Sequence, residues 1–147
     1  QKEILDQLSD WNGEHATTDL GPAIYYKWLY HILQNSLADE ITQRRFDLLL
    51  TNSMYLQAVP DLLRNDTSVW WNNKRTAEKE TRADIFNLAF EQTVTELQKQ
   101  LGPDISLWTW GKVHFIEHPH PVGKMKPMDK IFNVGPYSAG GGEEVGD

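Results

Sequence analysis

Gly102-Pro103-Asp104-Ile105-Ser106-Leu107-Trp108-Thr109-Trp110-Gly111-Lys112-Val113-His114-Phe115-Ile116-Glu117-His118-Pro119-His120-Pro121 closes the part of the chain with helical periodicity and opens one rich in turn residues, aromatics and histidines. Leu107, Trp108, Trp110 and Gly111 are followed by Val113, His114, Phe115 and Ile116, a β-prone run bounded by Gly111 and Pro119, and Trp108 and Trp110 stand two apart. In an extended segment both indoles would leave from the same face. Burying them would contribute up to about 4–6 kcal/mol each, at about 25 cal/mol per Å². The expectation is a plate of aromatic side chains on which helices pack.

Working back from Gly102, the clearest helix is predicted over Glu78–Leu101, with Phe86, Phe90, Thr93, Val94, Leu97 and Leu101 on one face. Gly102-Pro103 ends it, since glycine accepts the left-handed terminal conformation and proline cannot continue the ladder. Earlier, Ile4, Leu5, Leu8 and Trp11 mark a short amphipathic helix that stops at Asn12-Gly13. Thr17, Thr18 or Asp19 can cap the next helix, with Pro22 in its first turn. That helix carries Ile24, Tyr25, Trp28, Leu29, Ile32 and Leu33 and runs to about Ala38. Asp39 or Thr42 would start another, with Phe46, Leu49, Leu50 and Met54 inward, ending before Pro60. Asp61–Arg64 is then a short turn at most, Asn65–Ser68 a loop, and Val69-Trp70-Trp71 an apolar point before a polar exit.

A single domain suits 147 residues: helices over about 2–101, an aromatic strand and loop segment over 102–137, and a flexible glycine-rich tail over 138–147. The fold class expected is mainly α, with a short β segment near the C-terminus. Six tryptophans, five tyrosines and five phenylalanines exclude a disordered composition. A net charge of −7 argues against a nucleic-acid partner, which needs a basic stripe. Lys112, Lys124, Lys126 and Lys130 cluster, but a solvated loop explains them better than a phosphate site. With no cysteine, thiolate chemistry and disulfides are excluded. No apolar run reaches the roughly 20 residues of a membrane helix, so no membrane partner is expected. No signal peptide is read at the start. Gln1 without an initiator methionine, and a glycine-rich finish, read as a piece of something longer.

His114, His118 and His120, with Glu117, are the one spacing that suggests a metal. Pro119 and Pro121 restrict the backbone around the last two, and histidines hydrogen-bonded in a turn are the better reading. Ser9, Ser36, Ser53, Ser68, Ser106 and Ser138 all lack a nucleophile-elbow setting. Gly140-Gly141-Gly142 lacks the lysine of a phosphate cradle and is followed by Glu143 and Glu144. Carboxylate pairs such as Glu78/Glu80 and Asp39/Glu40 read as solvated charges.

In order along the chain, Leu101-Gly102-Pro103-Asp104, Trp108-x-Trp110-Gly111-x-x-His114, His118 or His120 before proline, Phe132-Asn133-x-Gly135-Pro136 and Gly140-Gly141-Gly142 are similar to a stretch of the large chain of penicillin amidases, the acylase family of N-terminal nucleophile hydrolases. Leu8, Trp11 and Gly13, then Ala23, Tyr26, Trp28 and Leu29, resemble the same family's helical portion. After the glycines this chain has Glu143-Glu144-Val145-Gly146, where the family usually has an acidic residue, threonine, valine and asparagine.

The resemblance implies a precursor that cuts itself and uses the new N-terminal serine of the large chain, its α-amine acting as base. Gln1 cannot be that nucleophile. No catalytic, substrate-binding or metal residue is therefore assigned in this chain, and no cofactor is expected in it. The resemblance implies a supporting part of an αββα hydrolase, partnered by the remainder of the large chain and by the small chain, in the periplasm or secreted. The parent would be an amidohydrolase for β-lactam or acyl-homoserine-lactone substrates, and this fragment alone would be inactive. The rival reading is a free-standing interaction module gripping a partner with Trp70, Trp71 or Trp108.

Overall fold

The computed structural model describes residues 1–51, 55–118 and 134–142. Five helices precede a small sheet: α1 (Lys2–Ser9), α2 (Gly21–Ile41), α3 (Gln43–Leu50), α4 (Tyr55–Arg64) and α5 (Arg82–Leu101). Strands β1 (Phe115–His118) and β2 (Val134–Ser138) pair antiparallel. The mainly helical architecture with a short β segment late in the chain is the one the sequence predicts. The chain divides into two compact units, residues 1–25 with 98–147, and residues 26–97.

In the unit of residues 26–97, Leu29, Leu33, Ala38, Phe46 and Val59 form one buried cluster. Ile32, Trp71, Ile85 and Ala89 form a second, and Leu62 and Leu63 pack against both. Trp28 and Trp71 each meet the Phe86 ring edge-on, at 5.8 and 5.9 Å between centroids. The indole N–H groups have partners: Trp28 donates to Phe86 O and Trp71 to Asn65 O. Both indoles are packed here with their N–H groups satisfied.

The single helix expected from Asp39 or Thr42 to Val59 falls on three: the end of α2, α3 to Leu50, and α4 from Tyr55. Thr42 has φ 68° and ψ 150°, so the chain leaves helical geometry there and re-enters it at Gln43. A β-branched residue at positive φ costs about 1–3 kcal/mol, offset by the burial of Phe46 that the break permits. Asp39 caps nothing; it lies within α2 and accepts from Lys74 N. Met54 lies outside the described residues. Pro60 is no terminus either, because α4 continues through it to Arg64. Val59 on one side of the proline and Leu62 and Leu63 beyond it all pack inward, which outweighs the lost backbone bond.

Helix α5 starts at Arg82, not Glu78. Thr81 and Asp84 form a reciprocal cap: Thr81 N and Oγ1 donate to Asp84 Oδ2, and Asp84 N donates to Thr81 Oγ1. The helix ends as expected at Leu101, with Gly102 at φ 91°.

In the other unit, the β-prone run between Gly111 and Pro119 is extended from Phe115 to His118, while the tryptophans before it lie by two 3₁₀ turns, Ile105–Leu107 and Trp110–Lys112, and not in an extended segment. The Asp104 carboxylate accepts from Ser106 N and closes the first turn. The backbone N–H groups of Trp110 and Gly111 are taken by Asp19 O and Thr17 O, at 2.7 and 2.8 Å. Both tryptophans are nevertheless buried, as expected.

Candidate functional site: an aromatic clamp on the glycine turn

Around Trp110, three segments of one unit converge. The first is the loop after α1. Gly13 at φ 88° turns the chain, Glu14 N donates to Asn12 Oδ1, and Trp11 Nε1 donates to Glu14 O. The Asp19 carboxylate then accepts from Ala16 N, so Asp19 ties the loop. The second segment is the pair of 3₁₀ turns, and the third is residues 138–142.

Trp110 Nε1 donates to Gly141 O at 2.9 Å, and its ring lies flat on His114, 4.5 Å between centroids and 10° between planes. His15 meets Trp110 edge-on at 6.1 Å and Trp11 at 5.3 Å. His114 Nδ1 lies 2.9 Å from Ala139 O. A carbonyl only accepts, so Nδ1 carries the proton. Ala139 N donates to His114 O, Gly141 N to His15 O and Ser138 Oγ to Gly111 O. Close approach needs glycine at two places. A Cβ on Gly111 would stand 2.9 Å from Thr17 Cβ, and one on Gly140 would stand 3.0 Å from His15 O. Gly141, at φ 86°, needs the left-handed conformation itself.

Of the three histidines read as hydrogen-bonded in a turn in preference to a metal, His114 is committed to this clamp. The side chains of His118 and Glu117, and all of His120, lie outside the described residues. Among the described residues no group of three or more histidines and carboxylates is placed to hold a metal. Hydroxyls are turned to the backbone: Ser36 Oγ donates to Ile32 O, while Ser68 Oγ accepts from Trp70 N. Ser106 Oγ bonds the Asp104 carboxylate, which that bond holds below the usual carboxylate range. Lys112 is exposed; Lys124, Lys126, Lys130, Glu143 and Glu144 lie outside the described residues, as does Ser53.

The 26–97 unit holds a charge cluster that sequence reasoning missed. Glu96 receives Lys27 Nζ at 2.7 Å on one oxygen and His31 Nε2 at 2.9 Å on the other. Burial pushes the Glu96 carboxyl up, but the bonds and charges of Lys27 and His31 outweigh it and leave its pKa lowered. Lys27 and His31 are four apart on α2, the signal that could have paired them on one face. Glu80 is likewise lowered, first by its bond from Thr76. The same unit has a mostly apolar cavity of about 450 Å³, lined by Leu33, Leu37, Leu49, Val59, Leu62 and Trp70 among others. Of the three tryptophans in the rival reading, Trp71 and Trp108 are buried, and Trp70, half-exposed, lines this cavity.

The clamp fixes backbone; it presents no nucleophile with a base. What it resembles is told by comparison with known proteins. The sequence pattern of the penicillin amidase family matches residues 1–146, and the chain belongs to that family. Among curated proteins it is similar to acyl-homoserine lactone acylase QuiP of Pseudomonas aeruginosa (strain PAO1), 25% identical over 95% of this chain and 18% of that protein. The QuiP acylase of Pseudomonas syringae pv. syringae is 25% identical over 99% of this chain and 18% of its own length. That of Pseudomonas syringae pv. tomato is 28% identical over 77% of this chain and 14% of its own. The chain thus spans less than a fifth of the length of these relatives. No solved structure matches it significantly.

Proposed function

We propose that this chain is a supporting, non-catalytic portion of the large chain of a penicillin-amidase-type acylase. The observation that carries the reading is a family match over residues 1–146 combined with coverage of 18% of a QuiP acylase. In this reading the parent hydrolyses the amide of an acyl-homoserine lactone or β-lactam, using an N-terminal serine outside these residues. Its small chain and the rest of its large chain are the partners, and the enzyme works in the periplasm or outside the cell. The clamp's part is mechanical: it holds residues 138–142 against the Trp110 turn and so sets where the chain leaves. Such positioning matters because a displacement of about 1 Å at a reacting group can cost about 100-fold in rate.

The test is turnover of an acyl-homoserine lactone, and of a chromogenic acyl anilide, by the whole gene product and by the 147-residue chain. Hydrolysis is expected from the first and none from the second. Serine-dependent turnover by the short chain, or a whole protein inert towards every amide tried, overturns the reading.

A further inference from the structure

The hairpin has two unequal edges. Its register pairs Phe115 with Ser138, Ile116 with Tyr137, and then His118 with Val134. One residue of β1, Glu117, therefore stands against two of β2, Gly135 and Pro136, which form a bulge. Bulges and prolines are both devices that blunt a sheet edge, and Pro136 has no N–H to offer. Between Phe115 and His118, β1 carries neither device.

Backbone direction follows from the rung beside the hairpin. Ala139 N donates to His114 O, which aims that carbonyl at β2. The alternation of an antiparallel ladder then aims Ile116 inward and the N–H and C=O of Phe115 and Glu117 away from β2. Phe115 is 51% exposed and Ile116 is 45% exposed, although successive side chains point to opposite faces. Tyr137, across from Ile116, is 63% exposed. A strand with one wet face alternates apolar and polar; apolar residues on both faces belong to a strand covered on both. Among the described residues the sheet has two strands, too few for independent stability.

We propose that the outer edge of β1 pairs, in the whole protein, with an extended segment of the same polypeptide lying outside these 147 residues. This rests on the reading of the chain as part of a larger acylase, since relatives that it covers to 18% have ample chain to supply the strand. The segment has β-branched or aromatic residues at alternate positions and exchanges backbone hydrogen bonds with Phe115 and Glu117. Pro119, directly after β1, keeps the contact short.

The experiment uses the whole protein with p-benzoylphenylalanine replacing Phe115. After irradiation, cross-links within one polypeptide to an extended segment outside this chain are expected. Residue-resolved hydrogen exchange should show the Phe115 and Glu117 amides slowed by about 100-fold or more against an unstructured peptide. Cross-links confined to these 147 residues, cross-links to a second copy, or fast exchange at both amides overturn the proposal. Acylase turnover is assayed on the same samples. An active enzyme with fast-exchanging amides removes the strand pairing alone, whereas an inert protein with the expected cross-links removes the acylase reading and leaves the pairing.

Discussion

The ring of His114 lies parallel to the indole of Trp110, 10° between planes, while its Nδ1 reaches Ala139 O and the indole Nε1 reaches Gly141 O. Two stacked rings thus hold two carbonyls of one turn. The stack orders the donors before they bond, which reduces the entropy lost in forming them.

Trp110→Phe should keep the stack and lose the bond to Gly141, costing about 1–2 kcal/mol, whereas Trp110→Ala should cost about 3–5 kcal/mol. Urea denaturation of the whole protein measures both. Equal losses would mean that the hydrogen bond, and not ring packing, carries the clamp.

Gly21 is a contact position and not a turn. A Cβ there would fall 2.3 Å from Trp11 Cγ, so Gly21→Ala must displace the indole and its bond to Glu14 O. The expected loss is about 1–3 kcal/mol. The double variant Gly21→Ala with Trp11→Ala should lose less than the sum of the single changes. Strict additivity in that cycle would contradict the contact.

Glu96 sets a pH dependence whose sign can be worked out. Its folded pKa lies below the ordinary value of 4.5, so the stabilisation is complete above 4.5 and is lost as pH falls through the folded value. Glu96→Gln should therefore flatten the acid limb of a plot of melting temperature against pH, below about pH 4.5. An unchanged limb would show that the carboxylate's partners do not act on it in solution.

Neighbouring tryptophans should behave oppositely. Trp71, 1% exposed and bonded to Asn65 O, should cost about 3–5 kcal/mol on replacement by alanine. Trp70, 39% exposed, should cost about 1 kcal/mol or less. Thermal unfolding of the two variants distinguishes them, and a larger loss at Trp70 would favour a working groove at that point.

Which parts of this were legible in the sequence follows from the range of the forces involved. The α5 terminus at Gly102 was readable because a glycine-proline stop acts locally. Its start was misjudged although Thr81-x-x-Asp84 spells a cap, because the charged run before it has helical propensity of its own. Burial of Trp108 and Trp110 follows from hydrophobicity, but they lie by turns and not in an extended segment: Thr17 and Asp19, ninety or so positions away, take the donors that a sheet would have used. The break at Thr42 and the helix through Pro60 go against local preference and are held by packing around Phe46 and Leu62. The clamp was half visible. His114, Trp110 and the glycines were each singled out, yet nothing in their spacing showed that they meet His15.

The bulge at Gly135-Pro136 has a consequence for how such a piece behaves among its own kind. A ribbon that can template on both rims adds copies without limit, as fibrils do. Here one rim is blunted by an imino acid and a kink, so of the two described edges only the other is open to a partner strand. Once that edge is taken, the hairpin has no second edge from which the ladder can grow.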